Sequence, residues 1–150
     1  KIGAFNAGMS ALSKKIRGKE FLLVVLVFAL TALGGTTFGL AEETIAFYPV
    51  LMPIFLLSGF DAITCVAAIY IGAALGSMFS TVNPFSVVIA SNAAGISFMQ
   101  GLTFRIIALV LGSAIAVAYM FFYAQKVKKD KTKSLVYAEE KEIYERFLSV

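Results

Sequence analysis

FLLVVLVFALTALGGTTFGLAEETIAFYPVLMPIFLLSGF, residues Phe21–Phe60, is the stretch that decides the fold. Its first half, Phe21–Ala41, carries no charge. At about 1.5 Å per helical residue it is long enough to cross a bilayer core. Thr31, Gly34, Gly35, Thr36, Thr37 and Gly39 then replace the Leu/Val run. Small residues let helices pack closely, and a glycine-rich end permits a sharp reversal. Glu42 and Glu43 interrupt the apolar sequence, and Thr44–Phe60 resumes it with Pro49 and Pro53 inside. Two apolar arms with an acidic tip make a helical hairpin over 21–60. The second arm is short for a crossing, so a re-entrant hairpin that dips in and returns fits at least as well as two full spans.

Outward from the hairpin, Asp61 marks a loop at the membrane surface and opens a third apolar segment, Ala62–Phe79, with Gly72 and Gly76 at small-xxx-small spacing. That segment breaks at Ser80-Thr81-Val82-Asn83-Pro84-Phe85. Asn83 before Pro84 is a good N-cap followed by a first-turn proline, so a new helix is expected to start there. Apolar residues flank the break on both sides, which predicts one discontinuous, unwound helix over 61–97 whose interruption lies within the membrane. Backbone unwound at that depth needs protein or a water-filled cavity around it. Arg105 reads as an interface anchor, and an unbroken final span is predicted over 104–125. Lys126, Lys128, Lys129, Lys131 and Lys133 follow as a stop-transfer signal. Residues 126–150 are expected to form a cytoplasmic basic and amphipathic tail. Upstream, Ile2, Phe5, Met9, Leu12 and Ile16 recur at helical spacing, so 1–20 is predicted as an interfacial amphipathic helix. Opening at Lys1 fits a segment of a longer protein.

Composition supports an all-α membrane protein. Hydrophobic residues make up 59% of the 150 and the mean hydropathy is +0.86, against about 45–50% apolar residues in soluble domains. From Phe21 to Gln125 the only ionisable charges are Glu42, Glu43, Asp61 and Arg105; nearly all others lie in the two flanks. A lipid-facing bundle with wet ends can be built from that distribution, and a soluble core with a polar shell cannot. The basic flanks are read as cytoplasmic, which requires an even number of crossings; re-entrant and spanning hairpins both satisfy it. The net charge of +4 sits where apolar runs begin and end, without aromatic–basic interleaving, which argues against nucleic acid as a partner. The chain has no His and a single cysteine, Cys65. Without a nucleophile–base pair or metal cluster, an enzyme is not expected, nor a cofactor or metal beyond a coupling Na⁺ or H⁺.

Two constellations could carry chemistry. A carboxylate deep in an apolar segment costs about 2.5–3.5 kcal/mol on insertion scales and usually faces a cavity or a partner. Glu42 and Glu43 are therefore candidate ligands for a cationic group, or a proton-coupling pair; the bland alternative is first-turn acids favoured by the helix dipole. At the Ser80–Phe85 break, interrupted helices leave backbone groups unpaired, and Ser80, Thr81 and Asn83 add side-chain oxygens that suit Na⁺. The alternative there is a proline kink satisfied by neighbouring helices. Tyr119, Phe121, Phe122 and Tyr123 read as an interfacial aromatic belt.

Lys1–Met9, then Gly34, Gly35 and Phe38-Gly39-Leu40-Ala41-Glu42-Glu43 with Ala46 and Phe47, then Asn83-Pro84-Phe85 with Ile89, Ala90 and Ala94-Gly95-Ile96, together resemble the YfcC-type membrane proteins. These belong with the DcuC-like carriers of the ion transporter superfamily. The resemblance implies a bacterial inner-membrane secondary transporter about three times this length, built from two inverted repeats. This chain would be the first repeat, with substrate ligands at Glu42, Glu43 and Asn83 and an ion site at Gly39, Ser80, Thr81 and Asn83. Partners would then be a small-molecule substrate, the lipid bilayer, the remaining half and a second copy in a homodimer. Basic amino acids (arginine/ornithine-type antiport), four-carbon dicarboxylates and short-chain fatty acids all occur as substrates in such families. Paired carboxylates favour the basic amino acids. A reading of another class is a non-transporting membrane anchor or sensor subunit acting through its charged tail.

Overall fold

The computed structural model describes residues 18–148. The helix expected over 1–20 therefore lies outside the described residues except at its end. All regular structure among the described residues is helical. The α-helices are α1 (Phe21–Phe38), α2 (Tyr48–Leu57), α3 (Ala62–Met78), α4 (Ile89–Ala94), α5 (Leu102–Lys129) and α6 (Glu140–Leu148). A 3-10 segment, Glu42–Phe47, leads into α2, and a π-helical turn, Pro84–Val88, leads into α4. Two helices are long and apolar enough to cross a membrane, α1 and α5.

The organising contact is between α1 and α3, which run parallel. Thr31 Oγ1, within 3.0 Å of the Val27 and Phe28 carbonyls of its own helix, also reaches the Ala68 carbonyl of α3 at 3.2 Å. Farther along, Thr36 meets Thr81. Parallel helices can approach this closely only where side chains are absent. A Cβ on Gly72 would collide with Thr31 Oγ1 and the Phe28 carbonyl, and one on Gly76 with the Ala32 backbone. The small-xxx-small pair is thus consumed in this seam, where dispersion and close backbone approach replace a hydrophobic driving force that lipid does not supply. Val24, Cys65, Ala68 and Ile69 are fully buried along it.

Two consecutive parallel helices need a return element between them, and the Glu42–Leu57 stretch supplies it. Leu40 N–H bonds Gly34 O at 3.3 Å and Gly39 N–H bonds Gly35 O at 3.1 Å, closing α1 with Gly39 in the left-handed region (φ 74°). Helix α2 starts with Pro49 in its first turn, where a missing N–H costs nothing. It carries buried Phe55 and Leu56 back against the core.

The chain re-emerges at the end of the bundle where it entered. Glu20, just before α1, pairs with Lys128 at 3.0 Å, and Lys131 Nζ donates to the Gly59 carbonyl, just after α2, at 2.9 Å. This end is called the base. Asp61, expected at a surface loop, is instead 0% exposed at the base. Its Oδ1 accepts from Thr64 N–H at 2.9 Å and Thr64 Oγ1 at 2.6 Å, capping α3; its Oδ2 accepts from Tyr123 and Ser134 hydroxyls, both at 2.6 Å. Tyr123 thus ties α5 to the start of α3 rather than only marking a headgroup belt.

Helix α5, at about 1.5 Å per residue, is about 42 Å long and outruns a hydrocarbon core of about 30 Å. It runs through Lys126 and Lys128 to Lys129, beyond the predicted end at 125, with these cations in its last turn where the dipole favours them. Only Met120, Ala124 and Val127 of this helix are buried, all near the base. Its exposed Val110, Leu111, Ile115 and Phe122 are suited to hydrocarbon. Beyond α5 the tail folds back, with Ile143 and Tyr144 of α6 packed against the core.

Candidate functional site

The end opposite the base is where the chain twice leaves the α-helix. Helix α1 stops at Phe38 and α3 at Met78, and because the two run parallel, both stops fall at one level. The parallel seam therefore brings Gly39 and Asn83 together across 44 positions of sequence. A Cβ on Gly39 would stand 2.8 Å from Asn83 Nδ2, so glycine is required there for contact as well as for φ.

Asn83, 2% exposed, holds this junction with both ends of its amide. Nδ2 donates to Gly35 O at 3.2 Å, while Oδ1 accepts from Phe85 N–H at 2.9 Å and Ser86 N–H at 3.4 Å. Thr81 N–H donates to Thr36 Oγ1 at 2.9 Å, and Val82 N–H donates to Thr36 O at 3.3 Å. Ser80 Oγ bonds the Ser77 carbonyl and lies 2.9 Å from Ser86 Oγ. Gly39, Ser80, Thr81 and Asn83 therefore do share one neighbourhood, rich in hydroxyl and carbonyl oxygen. The C-terminal ends of α1 and α3 both converge on it, and their dipoles favour positive charge there. Its hydroxyls are engaged by protein partners in this arrangement, so a bound cation would have to exchange them.

The acidic pair separates. Both Glu42 and Glu43 are exposed at the start of the 3-10 segment. Glu43 Oε2 accepts from Ala41 N–H at 3.2 Å, closing its own turn as a first-turn acid does. Glu42 instead lines a cleft of about 410 Å³ with Thr44, Tyr48, Tyr70, Ala73 and Ser77, between the hairpin tip and α3. Ser77 Oγ is shielded from solvent, faces Gly35 across the α1–α3 seam and has no hydrogen-bond partner among the described residues. Asn83 and Glu43 do not line this cleft. The acid and amide expected around one pocket are thus split between an open cleft and an adjacent buried junction. Among the described residues no group of three or more His, Cys, Asp or Glu could hold a metal.

Sequence reasoning missed Thr36, Ser77, Tyr48 and Tyr70. Thr36 was visible only as part of a polar glycine-rich end; that it faces Thr81 follows from the parallel pairing, which no local pattern encodes. Tyr70 is mid-helix, where an aromatic reads as lipid-facing.

Comparison with known proteins agrees with the helical, membrane-suited architecture. Residues 1–149 match the family model DcuC, C4-dicarboxylate anaerobic carrier. An uncharacterized protein of Haemophilus influenzae is 52% identical over 146 residues, covering 97% of this chain and 29% of that protein. The putative basic amino acid antiporter YfcC of Escherichia coli is 35% identical over 139 residues, covering 93% of this chain and 28% of that protein. No solved structure matches. The chain thus spans less than a third of the curated relatives it matches. A family match running over residues 1–149 places the chain in the DcuC family of C4-dicarboxylate anaerobic carriers.

Proposed function

We propose that this chain is the first of two inverted repeats of a bacterial inner-membrane secondary transporter, and that its substrate is a basic amino acid exchanged in arginine/ornithine fashion. Helices α1 and α2 are then a re-entrant hairpin, 61–97 is the discontinuous helix, and α5 is the final span, with both basic flanks cytoplasmic. The observation that carries the reading is the meeting of two chain interruptions, after Phe38 and after Met78, through Thr36–Thr81 and Asn83–Gly35. Half-helix ends presented together within a membrane suit small charged ligands and coupling ions. Helix α2, 10 residues and so about 15 Å long at about 1.5 Å per residue, covers only about half of a core of about 30 Å, which suits a hairpin that enters and returns.

The substrate leans on Glu42. A carboxylate at a cleft with Tyr48 and Tyr70 attracts a guanidinium or ammonium group through charge and through the ring faces, and would repel a dicarboxylate. The name of the Escherichia coli relative points the same way. The family description favours the second reading, a four-carbon dicarboxylate carrier, in which bound Na⁺ or H⁺ would have to offset Glu42. The coupling ion would sit at Gly39, Ser80, Thr81 and Asn83, and a second copy would complete a homodimer.

The test is uptake by proteoliposomes containing the full-length protein. Labelled arginine or ornithine should enter, Glu42→Gln should abolish the uptake, and Glu43→Gln should leave most of it. Succinate uptake indifferent to Glu42→Gln would move the assignment to dicarboxylates. No uptake of either, with tail-dependent capture of a partner, would favour the anchor or sensor role.

A further inference from the structure

Arg105 opens α5, and from sequence it reads as an anchor at the membrane interface. Its guanidinium is turned the other way. Nη2 donates to the Phe98 carbonyl at 2.6 Å and to the Thr81 carbonyl at 3.4 Å, and Nη1 donates to the Gln100 carbonyl at 2.9 Å. Nε is shielded from solvent without a partner among the described residues. A surface anchor would keep that N–H hydrated, so here the fork, not solvation, sets the side chain's position.

The break itself explains why a donor is needed at Thr81. In a continuous helix the Ser80 carbonyl would accept from residue 84 and the Thr81 carbonyl from residue 85. Pro84 has no N–H, and the N–H of Phe85 is taken by Asn83 Oδ1 at 2.9 Å. The cap that starts the new helix therefore strips Thr81 of its helical donor. A half-buried carbonyl left without a donor is costly, and Arg105, 24 positions away, supplies the replacement. Three carbonyls on two separate segments call for a planar fork with several fixed donors, which lysine cannot offer.

We infer that Arg105 is the positioning residue of the interrupted helix. By holding the Thr81 carbonyl and the 98–100 return loop together, it sets the shape of the oxygen cluster formed by Thr36, Ser80, Thr81 and Asn83. This rests on the carrier reading for its consequence in transport, but not for the clamp.

Hydrogen–deuterium exchange and uptake kinetics on the full-length protein test it, using Arg105→Lys and Arg105→Ala. Losing a charge-assisted bond should speed exchange at Thr81 and Val82 about tenfold, leaving α1 and the body of α3 at wild-type rates. Arg105→Lys, which keeps the charge, should raise the uptake KM about tenfold with little change in kcat, and added guanidinium should partly restore Arg105→Ala. Wild-type exchange and KM in Arg105→Lys would overturn the inference and return Arg105 to an interface anchor. Faster exchange spread through α1 and α3 would also overturn it, in favour of a general scaffold role. Localised exchange changes in a protein that takes up no candidate substrate would uphold the clamp and remove the carrier reading instead.

Discussion

Gly35→Ala is the most direct test of the parallel seam, because the atoms in its way are backbone. A Cβ at Gly35 would stand 2.5 Å from the Ala73 carbonyl oxygen and 3.0 Å from Ser77 N, whereas ordinary contact begins at 3.4 Å. Helices α1 and α3 must then part by about 0.9 Å, a gap that forfeits a quarter to a half of each dispersion contact along the interface. Overpacking of this kind costs about 1–3 kcal/mol. The same displacement stretches the bonds from Thr81 N–H to Thr36 Oγ1, from Asn83 Nδ2 to Gly35 O, and between the Thr36 and Thr81 hydroxyls, now 2.9, 3.2 and 3.2 Å. Interhelical bonds in membranes average about 0.6 kcal/mol each, and alanine returns about 1 kcal/mol of helix propensity. The net expectation is a loss of about 2–4 kcal/mol. Steric-trapping measurements of unfolding in the full-length protein would read it. Gly112→Ala is the matched control, since its Cβ would meet only movable side chains, the Phe79 ring at 3.2 Å and Leu75 Cδ2 at 3.6 Å; with the same propensity gain it should be as stable as wild type or more stable by up to about 1 kcal/mol. Ser77→Gly should rescue Gly35→Ala poorly, because the Ala73 carbonyl remains. A Gly35→Ala protein as stable as wild type would refute the close parallel packing, and with it the alignment of the two interruptions.

At the base, Asp61→Leu leaves the Tyr123 and Ser134 hydroxyls and the Thr64 N–H without their acceptor, a loss of about 3 kcal/mol or more; trypsin should then cut the 126–133 lysines much faster, and an unchanged cleavage rate would contradict the tie. Acid should loosen the same end. Glu20 is held down at about 2 by the Gly18 N–H, its own N–H and Lys128. For Asp61, burial pushes the carboxyl up, but hydrogen bonds from Ser134, Thr64 and Tyr123 outweigh it and leave it below the ordinary 3.8. Both folded values lie below the unfolded ones, so this stabilisation is complete above about pH 4.5 and drains as pH falls, for Glu20 down to about 2. Thermal unfolding followed from pH 6 to 3 should show the decline, with Asp61→Asn showing a smaller one.

Much of the architecture is written locally. Charge-free runs bounded by lysines specify lipid-suited helices, because no polar shell can be made from Phe21–Gln125. Gly39 before the acids and Asn83 before Pro84 mark chain interruptions through backbone chemistry that acts within a few residues. Pairing is another matter. That α1 lies parallel to α3, putting Thr36 on Thr81 and Gly39 on Asn83, depends on Gly35, Gly72 and Gly76 each facing the backbone of the opposite helix. A glycine in a sequence does not name its partner. For the same reason Asp61, Tyr123 and Arg105 each had an ordinary reading as boundary residues. Only the fold brings a buried carboxylate its Tyr123 and Ser134 hydroxyls from 62 and 73 positions away, and brings a stripped carbonyl its guanidinium from 24. Local propensity sets where helices start and stop. Which polar group satisfies which is settled by the distances left after the helices have packed.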